Sequence, residues 1–239
     1  MLTLRDVQSE SDPSLAKWLA MYERSFPREV RMPREAIAAQ VNAAARVTPE
    51  GDVLHLAAAL DGGAVVGGAM FTFLGRSNLG FLSYIFIGPE TRGRGVGEWV
   101  YRQLAGMLGS DATARGQSLQ GIILEVERED LAATAREREE RVRRLRFFAR
   151  AGARIVTGID YRQPPLHSDA EPVPLYLMFD AVGSQSPTLS HERVLAWVDD
   201  AYRVAYVQGA GISERVVIDC LRQVRESMGA QPVGIRRPA

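Results

Sequence analysis

The stretch that decides the fold is Tyr84-Ile85-Phe86-Ile87-Gly88-Pro89-Glu90-Thr91-Arg92-Gly93-Arg94-Gly95-Val96-Gly97. An apolar run ends near Ile87, and Pro89 stops it because proline cannot donate to a strand ladder. A helical stripe then opens at Val96 and continues through Val100, Leu104 and Leu108. Between them, glycines at alternate positions strip side chains from the turn, so backbone N–H groups can approach a bulky anion closely. The positive end of the following helix adds to that field. The ligand class predicted is a phosphate or pyrophosphate. A dinucleotide fingerprint would need glycine where Glu98 stands, and a Walker loop would need a lysine, whereas Lys17 is the sole lysine of the chain. The pattern that fits is Arg/Gln-x-x-Gly-x-Gly/Ala, with Arg92, Gly95 and Gly97 in its fixed places.

Working outward, residues 121 to 127 read as the next strand, with Ile122, Leu124 and Val126 facing one way and Ile123, Glu125 and Glu127 the other. Two carboxylates on one face of a central strand are costly unless that face opens on a cleft, so they mark a site. Upstream, residues 2 to 7 alternate as a strand, and Leu15, Trp18, Leu19 and Tyr22 recur at helical spacing after Ser11-Asp12-Pro13. Two prolines break the pattern at residues 25 to 33, and a second helix is predicted from 34 to about 47. Strands at 53 to 60 and 64 to 74 flank the tight turn Asp61-Gly62-Gly63, and His55 reads as a packed residue of the first. Downstream, residues 130 to 150 form an arginine-rich helix with a narrow stripe of Val142, Leu145 and Phe148, capped by Gly152. Strands at 153 to 161 and 173 to 181 complete the order β-α-α-β-β-β-α-β-α-β-β. This is an α/β (α+β) fold with a mixed, mostly antiparallel sheet flanked by helices. Beyond residues 183 to 187 come a pair of amphipathic helices, about 191 to 207 and 213 to 228, and a loose tail.

Composition narrows the function classes. A chain of 239 residues with 46% hydrophobic and 24% charged content builds one main domain rather than two. The formal net charge is zero, so no global field favours nucleic acid or an anionic membrane. Cys220 is the only cysteine, which excludes an intrachain disulfide and a cysteine-rich zinc site; its neighbours Val217, Ile218 and Leu221 make it a buried small apolar residue. Charges at Arg5 and Asp6 interrupt any leader-like run, and no segment reaches the roughly 20 apolar residues of a membrane span. A cytoplasmic location is expected.

Three stretches together resemble the GNAT superfamily of N-acetyltransferases over residues 2 to 182. They are the strand and glycine loop quoted above, Leu124-Glu125-Val126, and Arg146-Phe147-Phe148-Ala149-Arg150-Ala151-Gly152-Ala153. The resemblance implies a domain at 1 to 182, with residues 183 to 239 as a helical extension, and acetyl-CoA as cofactor. Ile85, Phe86 and Ile87 would meet the pantetheine arm through their backbone. Arg92, Gly93, Arg94, Gly95, Val96 and Gly97 would hold the pyrophosphate. Phe148 would lie beside the cofactor, where many members carry a tyrosine that protonates the leaving thiolate.

By the same resemblance Glu125 is the candidate general base, and Glu127 a second base or a ligand for a cationic acceptor. Phenylalanine at 148 leaves the acid role to Tyr161, Tyr84 or water. The expected acceptor is a small-molecule amine or a peptide, in a pocket walled by residues 25 to 33, the 162 to 172 connection and the terminal helices. The alternative is a non-catalytic acyl-CoA-binding module whose extension meets a partner. DNA binding by the terminal helical pair is disfavoured because its arginines and acids nearly balance. Trp197, Tyr202 and Tyr206 are expected at a homodimer contact or in a lid over the acceptor site.

Overall fold

The computed structural model describes residues 1–41, 47–167, 169–182, 188–229 and 232–238. Nine strands carry the architecture: β1 (Leu2–Asp6), β2 (Val53–Asp61), β3 (Ala64–Leu74), β4 (Leu79–Ile87), β5 (Ile122–Glu127), β6 (Arg154–Thr157), β7 (Arg162–Gln163), β8 (Val173–Asp180) and β9 (Gly234–Arg236). They join in the order β1-β2-β3-β4-β5-β8-β6-β9, with β7 paired to β8. All pairings are antiparallel except β4 with β5.

Among the described residues six α-helices cover the sheet: α1 (Leu15–Ser25), α2 (Arg34–Ala39), α3 (Val96–Ala114), α4 (Ala135–Ala151), α5 (His191–Ala201) and α6 (Glu214–Ser227). On one face, Val96, Val100, Leu104 and Leu108 of α3 and Leu145 and Phe148 of α4 pack against Ile122, Leu124 and Val126, so the predicted stripe and strand alternation meet in one core. The other face divides. Trp18, Leu19 and Tyr22 of α1 and Ile37 of α2 cover β2 to β4, and Trp18 Nε1 donates to the Ala57 carbonyl at 2.9 Å. Val194, Trp197 and Val198 of α5 and Val217 and Cys220 of α6 cover Phe81, Ile123 and Leu177. Burial of large apolar side chains of this kind contributes about 1.5–3 kcal/mol each.

The C-terminal helices therefore share the sheet's core. Trp197, Tyr202 and Tyr206 are 5%, 0% and 3% exposed, so they pack inward and offer no dimer surface. Beyond Ala201 the helix widens into a π-helix, Tyr202–Gly209. Two other expectations change. The second helix stops at Ala39, where the Gln40 amide turns back to the Ala36 carbonyl at 2.9 Å; Val47 instead bridges to Val53, and residues 42–46 lie outside the described residues, as does the 183–187 linker. The tail is not loose throughout, because Gly234–Arg236 pairs with β6 through Val156 and Ile235. Among the described residues no helix is long and apolar enough to cross a membrane.

Candidate active site

A single 3-10 turn, Pro89–Thr91, links β4 to the glycine loop, and buried Thr91 fixes it with a hydroxyl 3.2 Å from the Gly88 carbonyl. Gly93 and Gly95 adopt φ of 77° and 76°, the left-handed region, which explains glycine at both places. A Cβ at either would meet nothing within 4 Å, so the outer side of the loop is an open cradle. Gly97 is there for another reason: a Cβ on it would come 3.2 Å from the Phe147 ring. No side chain caps α3 at Gly95, so its first N–H groups are left to an anion. Arg92 and Arg94 are exposed, and neither guanidinium is engaged in an ion pair among the described residues. Backbone donors, a helix N-terminus and two uncommitted guanidinium forks suit a pyrophosphate.

The cleft beside this loop arises from strand pairing. Met70 lies opposite Tyr84 and Phe71 opposite Leu82, so Ser83 is the extra residue of a bulge in β4. β5 pairs with β4 only through Gly80, Phe81 and Leu82, and afterwards follows β8. From Ser83 to Ile87 the β4 edge that faces β5 has no strand partner, which leaves its backbone groups available along the gap. Phe86 is 5% exposed and packs on Trp18 and Tyr22, while Ile85 and Ile87 lean on the α3 core; a ligand here meets the Ile85–Ile87 backbone more than its side chains.

Glu125 is the first β5 residue beyond the paired segment, at the mouth of the gap. Its Oε1 accepts hydrogen bonds from the hydroxyls of Tyr161 and Tyr206, the latter at 2.6 Å, and Tyr206 also lies 2.7 Å from Oε2. Burial raises the carboxyl to about 7, and the two tyrosine hydroxyls hold it from rising further. Tyr161 and Tyr206 are themselves pushed well above the usual phenol value, mainly by burial, so both stay protonated and donate. Tyr84 donates to the Val30 carbonyl at 3.2 Å and accepts from Met32 N–H at 3.1 Å, so its hydroxyl fixes the 27–33 loop. That loop meets the β7–β8 connection, where His167 Nε2 lies 3.0 Å from the Arg28 carbonyl and Arg28 pairs with Asp169 at 3.1 Å.

The structure brings the predicted Glu125 and Tyr161 into contact. It gives Glu127 a different partner, Arg144 of α4 at 3.1 Å, whereas Tyr161 and Tyr206 bond Glu125. Phe148 is 6% exposed in the core against Tyr101, and it is Phe147 that comes up under the loop at Gly97. Sequence reasoning missed Tyr206 as a partner of Glu125, and Gln163, whose Nε2 donates to the Tyr206 hydroxyl at 3.2 Å. Tyr206 lies on an amphipathic stripe, which reports burial but not what the buried hydroxyl meets.

A profile of the acetyltransferase (GNAT) family matches residues 15–136. No curated protein matches the sequence. Among solved structures, a GNAT-family protein from Bacteroides thetaiotaomicron has a TM-score of 0.63 and 19% identity, covering 88% of this chain and 99% of its own. The ribosomal-protein-S18-alanine N-acetyltransferase of Escherichia coli has a TM-score of 0.50 and 16% identity over 79% of this chain and 99% of its own. Ard1 from Thermoplasma volcanium has a TM-score of 0.50 and 16% identity over 77% and 99%. At these identities the structures share the fold alone. The profile, however, spans half of the sequence and contains the splayed strands, the glycine loop and Glu125, and the chain belongs to the acetyltransferase (GNAT) family, which uses acetyl-CoA.

Proposed function

We propose that the chain transfers an acetyl group from acetyl-CoA to a primary amine by direct attack, with Glu125 as general base. The observation that carries this is a half-buried carboxyl, raised to about 7, at the point where β4 and β5 part and next to an open anion cradle. A base whose protonation midpoint lies near neutrality is ionised often enough to take a proton and basic enough to hold it. Acetyl-CoA supplies the activated thioester. Arg92, Arg94 and the N–H groups of Gly93 to Gly97 hold its pyrophosphate, and the free edge of Ser83 to Ile87 aligns its arm. Glu125 removes one proton from the attacking ammonium; the nitrogen bonds to the acetyl carbonyl carbon as the carbon–sulfur bond breaks, and the departing thiolate takes the second nitrogen proton through water. The tyrosine hydroxyls exclude water from that carboxyl and fix its plane. The acceptor, a small amine or a peptide, meets a wall made of the 27–33 loop joined to the β7–β8 connection. The acetyltransferase domain spans residues 1 to 182, and the helical extension, 183 to 239, covers part of its sheet.

Calorimetric titration with acetyl-CoA tests the cofactor site in the parent and in Gly95→Glu, which sets a carboxylate in the cradle. Binding in the parent and its loss in the variant are expected; equal binding in both refutes the loop assignment. Glu125→Gln should retain acetyl-CoA binding and fail to acetylate tyramine, spermidine or an alanyl peptide, whichever the parent accepts. A second reading, a non-catalytic acyl-CoA-binding module, is favoured by Phe148, a phenyl ring where a proton donor is usual in the family. Tight binding with no amine turnover by the parent would select it.

A further inference from the structure

Of the two tyrosines outside the matched family span that bond the proposed base, one comes from the C-terminal extension. Tyr206 sits in the middle of the π-helix, is 3% exposed, and reaches both oxygens of Glu125 at 2.6 and 2.7 Å. We propose that Tyr206, oriented by Gln163, is a positioning residue that fixes the Glu125 carboxylate with Oε2 as its proton-accepting oxygen, so that the extension is part of the acetyl-transfer site. The inference rests on Glu125 acting as base.

A carboxylate offers about four lone-pair sites, and a phenol has one proton to give. Oε1 receives the Tyr161 hydroxyl and shares the Tyr206 hydroxyl, whereas Oε2 has only the remaining share of Tyr206. Oε2 is therefore the less committed oxygen and the one open to an incoming N–H. The direction of the Tyr206 proton is set from behind. Gln163 Nε2 donates to its oxygen at 3.2 Å, which turns the phenolic proton away from Gln163 and toward Glu125. Gln163 is itself 3% exposed on β7, so this donor is fixed by the sheet.

Three anchors make the π-helix a fixed support. Arg203 lies between the buried carboxylates of Asp52 and Asp200, at 3.1 and 2.6 Å. The Tyr202 hydroxyl donates to the Arg162 carbonyl, one residue before Gln163. The Gln40 amide of the first helical layer donates to the Gly209 carbonyl at 2.8 Å, closing the seam between the two halves of this face. The anchors bracket Tyr206 on both sides, and its ring packs edge-on against Tyr202 at 5.6 Å.

The titratable groups facing Glu125 are Tyr161 from the β6–β7 connection, Tyr202 and Tyr206 from the π-helix and Tyr84 from β4, all held protonated. Of these, Tyr161 and Tyr206 donate to Glu125 and stabilise the ionised carboxylate, so removing the Tyr206 hydroxyl moves its titration upward.

The test is a titration of the Glu125 carboxyl in the full chain, carried out without any substrate. Protein labelled with 13C at the glutamate carboxyl is compared with Tyr206→Phe, and Glu125→Gln assigns the signal. A phenylalanine keeps the ring and its packing and removes only the hydroxyl. The expected midpoint rises by about one pH unit, the scale of one hydrogen bond to a charged acceptor. With the best acceptor among tyramine, spermidine and the alanyl peptide, kcat should fall about tenfold at pH 6, where the protonated fraction dominates. It should fall by less than about threefold at pH 9, with KM for acetyl-CoA unchanged. A loss equal at both pH values, or an unmoved carboxyl midpoint, overturns the positioning role while leaving Glu125 as base. Turnover that Glu125→Gln leaves intact overturns the base itself, and the positioning role with it.

Discussion

Replacing Glu125 by glutamine should make the protein inactive and, above neutral pH, more stable. The carboxyl stands at about 7 in the folded protein against 4.5 for an ordinary glutamate, chiefly because it is buried. A folded-state value raised above the unfolded one means that the native chain binds the extra proton. The contribution is favourable below about 4.5 and is lost as pH rises through 7. The difference of about 2.5 units corresponds to about 3 kcal/mol at 1.36 kcal/mol per unit. Glutamine keeps the shape and an acceptor oxygen for Tyr161 and Tyr206, and it removes the ionisation. Urea unfolding of parent and variant at pH 4.5 and pH 8 isolates the effect, since every other titrating group cancels in the comparison. The two should coincide within about 0.5 kcal/mol at pH 4.5. At pH 8 the variant should gain up to about 3 kcal/mol, a midpoint shift of about 1 M at the slopes usual for a chain of this size. A variant less stable than the parent at pH 8, or a gap independent of pH, would refute the claim that burial of a charge at this site is what sets its basicity.

Three further outcomes are expected. Arg203→Met leaves Asp52 and Asp200, 1% and 3% exposed, without their shared cation, and should cost about 3–5 kcal/mol in urea unfolding; a loss below about 1 kcal/mol would remove the clasp from the account of how the extension is held. Acetyl-CoA at 100 times its Kd should raise stability by about 2.7 kcal/mol, read as a thermal shift that Gly95→Glu abolishes. His55 pairs through its two ring nitrogens with Asp6 and Asp111, each at 2.9 Å. Burial pulls its value down, but the carboxylate hydrogen bonds override burial and raise it to about 9, so its contribution of up to about 3 kcal/mol is present below 6.5 and lost as pH passes 9. An imidazole NMR midpoint below 7 would contradict this.

The legible parts of the sequence are those in which a local pattern has one physical cause. The alternation of Ile122, Leu124 and Val126, the spacing of Val96, Val100, Leu104 and Leu108, and the glycines at positive φ each report a constraint acting within a few residues. His55 shows the limit of such reasoning: it is packed, stacked on Phe71 at 4.8 Å, as its apolar strand suggested, but it is also an ionic bridge between residues 49 and 56 positions away. Glu127 shows it in reverse. Strand period put it on the face of Glu125, yet its partner is Arg144 of α4. The three-residue β9 carries too few residues for any period to show, and it exists because β6 offers it an edge.

The same distinction bears on how the proposed base would be made. Glu125 is placed by a local feature, the bulge at Ser83 that parts β4 from β5. The donors that restrain its titration are non-local, since Tyr161 and Tyr206 lie 36 and 81 positions further along the chain. A carboxyl in the open mouth of the gap would remain hydrated and ionised at neutral pH with little appetite for a proton. The layer that covers it supplies the low dielectric, and the hydroxyls within that layer keep the charged form from becoming prohibitive. Basicity near neutrality thus requires both halves at once: enough burial to raise the carboxyl and enough donation to stop it short of permanent protonation. The family span, residues 15–136, contains Glu125 but neither tyrosine. The proposed base and the anion cradle thus draw on different parts of the chain, so cofactor binding and proton removal should be separable by changes confined to residues 202 to 209.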